Sequence, residues 1–406
     1  MKHEINSVSE LELWLTTGQP CRNVAFRALD LISYDETLAS KEQAVKANEA
    51  CVFFGCRLGP KMMNAAAEHH GLIFPDLPNR PYKPYRSTLY TYTELFDRFD
   101  PNRPASYLEC VDWLAYASFI KVDPLTHKPL RPVQYVKAGA DEVLARRLHD
   151  HFIARETEDF LEEFQSPKGK GIIAIMGGHD RLRSDPVYRQ IALLARELTR
   201  DGFLVCSGGG PGLMEATNFG AYFAPFEDGD LDAAIRHLAL ADRYDHPEWL
   251  KVAWEVRHNY PTPSLAGSRS LGVPTWFYGH EPPNVFATHI AKYFENSLRE
   301  EGLLGIASHG VIFAEGNAGT VQEIFQDACQ NYYENYGFRS PMILFGESYW
   351  NPAPDQISDP DLKGKPAWPL LCTLAQEKNF ESLLTLTSKT EVVLDKIRAF
   401  RAPGEL

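Results

Sequence analysis

Two glycine-rich stretches hold the residues whose types and spacing could do chemistry. The first is Ser207-Gly208-Gly209-Gly210-Pro211-Gly212-Leu213-Met214, which follows the apolar run FLVC and precedes a helix-prone stretch. Glycines permit positive φ angles and remove side chains, so backbone N–H groups and a helix N-terminus can meet a phosphate. A tight turn without a ligand is the plainer alternative, but three consecutive glycines followed by Pro-Gly exceed what a turn needs. The stretch is not a dinucleotide fingerprint, because GxGxxG would need glycine where Leu213 stands. That speaks against an NAD(P)-dependent reductase.

The second stretch, Glu315-Gly316-Asn317-Ala318-Gly319-Thr320-Val321-Gln322-Glu323, again follows an apolar run and opens a helical pattern. Gly316, Asn317, Gly319 and the Thr320 hydroxyl can form a second anion cradle, with Glu323 in the first turn of the helix. Thr320 and Glu323 also fit a capping box, Thr-x-x-Glu, which would make both structural. The pair Gly177-Gly178, at the end of the run GIIAIM, adds a third uncrowded turn. His179 and Asp180 follow it directly, and Ser184, Asp185, Tyr188, His289 and Lys292 are further polar candidates, for each of which a cap or solvated charge is the plain reading. His237, His246 and His258 lack metal-ligand spacing, and no metal is expected.

Together the loops resemble the LOG family of nucleoside monophosphate phosphoribohydrolases, marked by a GGG-x-GLM loop and a PGGxGTxxE loop. The likeness runs over about 171–350 and includes SDPVYRQIALLARELTRDGF and the segment GHEPPN at 279–284. Glu315 stands where the family has Pro and Asn317 where it has the second Gly, whereas Gly316, Gly319, Thr320 and Glu323 keep their places. A family Arg on the preceding helix corresponds best to Arg299, with Glu300 where a Lys is expected. The resemblance implies a Rossmann-like fold and hydrolysis of nucleoside 5′-monophosphates, including cytokinin-type N6-substituted AMP, to free base and ribose 5-phosphate without a cofactor. Glu323 and Arg299 would be the catalytic pair. Gly177, Gly178, Gly208, Gly209, Gly210, Gly212, Met214, Gly316, Asn317, Gly319 and Thr320 would hold the substrate. Cleaving an N-glycosidic bond develops oxocarbenium charge, which a carboxylate beside C1′ stabilises while it orients or deprotonates water. Arg299 would hold the phosphate or offer charge to the departing base; a solvated pairing with Glu295 is the alternative. A nucleotide-binding regulator without catalysis is the competing class, motivated by the altered second loop. The family also implies a homodimer or higher homo-oligomer, through helices at 286–301 and 321–336 that carry Phe294, Leu298, Ile324, Phe325, Tyr332 and Tyr333.

The elements that must position these loops read as α/β throughout. Apolar runs at 171–178, 203–206, 270–276, 310–314 and 341–346 alternate with helical patterns at 188–200, 286–301 and 321–335, which predicts a doubly wound parallel sheet. Residues 226–268 break that rhythm and read as an insertion, a lid or a surface helix pair. Toward the N-terminus, apolar runs at 23–31, 50–56 and 71–74 alternate with helical stretches at 41–49 and 60–69, predicting a smaller α/β domain. The Pro-, Arg- and Tyr-rich residues 75–104 suggest an extended, wrapping segment. A charged helix over 141–164 gives way to QSPKGKG, and the predicted division is 1–165 and 166–406.

Composition excludes several classes. Of 406 residues, 44% are hydrophobic and 23% charged, which excludes a disordered chain. Forty-one Lys and Arg against 54 Asp and Glu give a formal charge of -13, which argues against nucleic-acid partners. Seven scattered cysteines read as thiols of a reducing compartment. No apolar run is long enough for a membrane span, and the charged start MKHEINSVSELELW does not read as a secretory signal. A cytoplasmic protein with a small-molecule nucleotide as its partner is the expectation.

Overall fold

Short buried apolar runs separated by helices sort, in a computed structural model, into two compact units: Met1–Thr88 with Lys137–Glu156, and Leu89–Val136 with Thr157–Leu406. The structure describes residues 3–19, 23–42, 51–166, 169–277, 282–357 and 364–401. Residues 89–136 and 157–165 thus lie in the second unit, not with the N-terminal part to which composition assigns them. Long-range bonds explain this for the first segment. Tyr90 bridges Ile290 in antiparallel fashion, and the buried Asp112 accepts from Trp276 Nε1 and pairs with Lys292.

The first unit contains β1 (His3–Ile5), α1 (Val8–Thr16), β2 (Val24–Arg27), α2 (Asp35–Glu42), β3 (Val52–Phe54), α3 (Pro60–Glu68) and β4 (Leu72–Phe74). Its four strands are parallel in the order β1-β2-β3-β4. Successive right-handed crossovers in one direction put the helices on one face. The core there includes Leu11, Trp14, Phe26, Phe53 and Met62. The other face is covered by Tyr85 and Phe152, whose rings meet Phe54 at 6.2 and 5.0 Å. Of the helix expected over 41–49, residues 43–49 lie outside the described residues.

The second unit continues with α4 (Tyr92–Leu95), α5 (Val111–Ala117), the later turns of α6 (Ala140–Gln165), β5 (Ile172–Met176), α7 (Pro186–Arg200), β6 (Leu204–Ser207) and α8 (Leu213–Tyr222). Then come α9 (Asp228–Leu238), α10 (Trp249–Asn259), β7 (Ser270–Gly272), β8 (His289–Ile290), α11 (Asn296–Gly305), β9 (Val311–Phe313) and α12 (Ala318–Tyr333). The described chain closes with β10 (Met342–Phe345), α13 (Glu347–Trp350), α14 (Trp368–Lys378), β11 (Leu384–Thr387) and α15 (Thr390–Ala399). Seven strands form one parallel sheet, ordered β11-β10-β9-β5-β6-β7-β8. Every residue of β5 is buried, which is why it reads as an unbroken apolar run. α7 packs on α8 and α15, and α12 packs on α11 and α14. Crossovers of fixed hand from β5 outward in opposite directions put those two groups on opposite faces, a doubly wound architecture. Among the described residues no helix is long and apolar enough to cross a membrane.

The helix predicted over 286–301 is a short edge strand, β8, followed by α11. Asn284 Oδ1 accepts from the N–H groups of Phe286 and Ala287 and turns the chain. Ile290 then pairs its backbone with Tyr90, so a sheet edge takes residues whose spacing suited a helix. The insertion at 226–268 consists mainly of α9 and α10, and Arg183 ties it down. That guanidinium, 1% exposed, binds both oxygens of the buried Glu215 at 2.6 and 2.8 Å, and donates to the carbonyls of Leu238, Ala241 and Trp249. It also lies 4.8 Å from the Trp249 ring. These directed bonds tie the insertion to the Arg183–Glu215 pair. Arg183→Lys keeps the charge but loses the planar fork, so we expect a stability loss of about 2 kcal/mol in urea denaturation. A loss below about 0.5 kcal/mol, the usual range of surface changes, would mean that apolar packing alone holds the insertion.

Candidate functional site

β5 and β9 are neighbours in the sheet, with Met176 beside Phe313, but the chain leaves them in opposite directions. Their outgoing loops diverge, and such a switch point leaves a crevice beyond the carboxyl ends of the strands. In this structure the crevice is a cavity of about 230 Å³. Met176, Gly177, Gly178 and His179 line it from the end of β5, and Gly208 and Met214 from the junction of β6 and α8. Arg299 and Glu300 enter from α11, and Asn317, Ala318, Gly319, Thr320 and Glu323 from the start of α12.

α12 begins with Asn317 as its cap residue, and its first bond runs from Val321 N–H to Asn317 O at 3.1 Å. The N–H groups of Ala318, Gly319 and Thr320 therefore have no acceptor in their own helix, and the positive end of the helix dipole faces the cavity with them. This start overturns the capping-box reading. Thr320 is the third helical residue, not the cap, and Glu323 lies in the second turn instead of the first. Both are nearly buried, at 5% and 6% exposure. Glu323 Oε1 accepts from Arg299 Nη1 at 3.4 Å, while Arg299 Nε donates to Val273 O at 3.1 Å. Arg299 is thus a cross-helix partner of Glu323 and not a charge on a solvated face. Glu300, which the sequence marked only as a departure from the expected Lys, also lines the cavity.

The structure brings Gly177, Gly178, Gly208, Met214, Asn317, Gly319, Thr320, Glu323 and Arg299 to the wall, but not the whole glycine set. Gly209, Gly210, Gly212 and Gly316 do not line it. Gly212 has φ +65°, and a Cβ there would come within 2.4 Å of Gly178 O. Gly209 and Gly210 offer their carbonyls to Asn284, from its N–H at 2.9 Å and its Nδ2 at 3.2 Å. Gly316 accepts from Tyr349 Oη at 2.6 Å. These glycines allow backbone segments to meet, so the first loop is chiefly a packing junction, and the helix-start amides that line the cavity belong to α12.

The departures in the second loop have partners. Glu315 pairs with Arg181 at 2.7 Å, and Asn317 Nδ2 donates to Asp180 Oδ2 at 3.1 Å. The loop after β5 thereby holds the loop before α12. The remaining polar candidates have structural work. Ser184 binds Asp242, Asp185 precedes α7 and accepts from Leu182 N–H, and the buried Tyr188 donates to Glu215. Burial, and then the Glu215 charge, push the Tyr188 hydroxyl well above its ordinary pKa. Lys292 is paired with Asp112, and His289 stacks on Phe160. His179 reaches the cavity wall, with its ring edge-on to Tyr244 of the insertion at 5.7 Å. Of the GHEPPN segment, residues 279–281 lie outside the described residues.

No protein-family model matches the chain, and no curated protein does. Solved structures do. The molybdenum cofactor binding protein of Rippkaea orientalis is 14% identical, over 57% of this chain and 98% of its own, with a TM-score of 0.34. The Moco carrier protein of Chlamydomonas reinhardtii is 14% identical over 56% of this chain and 98% of its own, with a TM-score of 0.30. A structural-genomics target, TM1055, is 17% identical over 57% and 99%, with a TM-score of 0.32.

Proposed function

We propose that this chain hydrolyses the N-glycosidic bond of nucleoside 5′-monophosphates, releasing the free base and ribose 5-phosphate. The observation that carries the reading is one cleft holding an Arg299-paired Glu323 a turn away from three unpartnered helix-start amides. A 5′-phosphate at the amides of residues 318–320 gains charge-assisted hydrogen bonds and a favourable dipole. Glu323 then faces the ribose, where its carboxylate stabilises positive charge at C1′ and takes a proton from the attacking water. The C1′–N bond breaks as the water oxygen bonds to C1′; the electron pair leaves with the base, which takes a proton from solvent while Glu323 returns the water's proton to solvent. Arg299 holds Glu323 in register and supplies positive charge beside the departing ring. No step requires a cofactor.

Incubation with a panel of nucleoside 5′-monophosphates, followed by chromatography of released bases, tests the reading. Free base is expected from at least one of them. Nucleotide that stays bound and intact for hours would favour the competing class, a binding regulator, for which the altered Glu315 and Asn317 are the motive.

We also propose self-association. Phe294 and Ile324 prove to be core residues of the monomer, whereas Leu298, Tyr333 and Tyr336 stand 46%, 68% and 41% exposed on or next to α11 and α12. Apolar side chains of that size on neighbouring helices suit an isologous contact. Light scattering should give twice the 45.8 kDa of one chain or more; a mass of 45.8 kDa at micromolar concentration would contradict it.

A further inference from the structure

The second unit holds another cavity, of about 280 Å³, that has no part in the proposed hydrolysis. Its walls come from segments outside the strand-helix succession of the sheet. Phe99, Pro104 and Tyr107 belong to the stretch before α5, Tyr244, Trp249 and Leu250 to the insertion, and Pro282 to the connection before β8. Among the described residues none lines both this cavity and the cleft. The two adjoin through one ring pair, because Tyr244 meets His179 of the cleft edge-on at 5.7 Å.

Four rings, those of Phe99, Tyr107, Tyr244 and Trp249, face this space together with Pro104, Pro247 and Pro282. Proline brings no N–H, and the Tyr107 hydroxyl already donates to Asp112 Oδ2 at 2.7 Å. Such walls favour a planar apolar ring, which meets aromatic faces and edges at contact distance. The charges at the rim do not call for an ion. Both oxygens of Asp245 accept from Arg243, at 2.9 and 2.6 Å, and the Arg183 guanidinium already lies 4.8 Å from the Trp249 ring. A cation therefore finds both its carboxylate and its best ring engaged, and an anion meets a protein of net charge -13. His246, exposed at the rim, supplies a neutral donor. Its Nδ1 accepts from Glu248 N–H at 3.2 Å, so the uncharged ring carries its proton on Nε2. We propose that this cavity is a second small-molecule site, for a neutral planar aromatic ligand whose carbonyl or ring-nitrogen acceptor meets His246 Nε2–H. Its volume lies just below the roughly 300–1,000 Å³ of sites for drug-sized ligands, which suits one ring or a fused pair.

The test is NMR titration of the full chain with probes of similar size: benzamide, benzoate, benzylammonium and cyclohexanecarboxamide. Benzamide should bind with a Kd of about 1 mM or tighter, and each of the others at least about fivefold more weakly. His246→Ala should weaken benzamide by about 3- to 10-fold, the worth of one neutral hydrogen bond, and leave toluene, which has no acceptor, unchanged. Excess AMP should not displace benzamide. Cyclohexanecarboxamide, benzoate or benzylammonium binding as tightly as benzamide would overturn the ligand class. Benzamide displaced by AMP, or bound equally well by His246→Ala, would overturn the site, as would no binding at about ten times the expected Kd. None of these outcomes depends on whether the chain cleaves a nucleotide.

Discussion

Glu323→Gln should lower the rate of AMP cleavage by two to three orders of magnitude while AMP still binds within about threefold of wild type. Glutamine has nearly the same shape, and its carbonyl oxygen can still accept from Arg299 Nη1, so the 3.4 Å contact need not be lost. It cannot take a proton from water, and it offers a developing oxocarbenium a dipole in place of a charge. Because Glu323 sits in the second turn of α12, the change removes no helix cap, and the fold should be spared. The amides of residues 318–320, proposed to meet the phosphate, are untouched, which is why binding should persist. Steady-state kinetics with calorimetric Kd values separates the two effects. A variant within a few-fold of the parent in kcat would mean that Glu323 is a structural partner of Arg299 only.

AMP should exceed adenosine by about two to three orders of magnitude in kcat/KM. A protein of net charge -13 has no general attraction for anions, so any preference for a phosphate must come from local donors. The cleft supplies such donors at the start of α12 together with the positive end of its dipole. If two or three of them each add roughly 1.5 kcal/mol, the sum is about 3 to 4.5 kcal/mol. ATP should also be poor, because the amides of one helix start serve one phosphate and leave the others without partners. Comparable values for AMP and adenosine at one salt concentration would show that these amides do not meet phosphate in the reacting complex.

What the sequence made legible is the part fixed by local rules. An all-apolar five-residue strand such as Ile172–Met176 announces a buried parallel strand, and a glycine-bearing turn before a helical pattern announces the start of α12. Arg299 and Glu323 were visible as a pair only through family likeness, since nothing in a spacing of 24 positions brings two side chains together. The glycines were less legible for a physical reason. Glycine serves ligand approach and backbone packing equally well, and Gly209, Gly210 and Gly212 turned out to serve packing against Asn284 and Gly178. The placing of Glu300 and the Arg181–Glu315 tie depend on neighbours far along the chain, where no local period points. The same holds for residues 89–136, which join the second unit through Tyr90 and Asp112 rather than through any signal of their own composition.

The most direct measurement is a product balance. The full chain is incubated with AMP, and adenine, ribose 5-phosphate, adenosine and inorganic phosphate are quantified over time. Adenine and ribose 5-phosphate appearing in equal amounts, one of each per AMP lost, is the predicted result. Adenosine with inorganic phosphate, or AMP that remains unchanged, would contradict it.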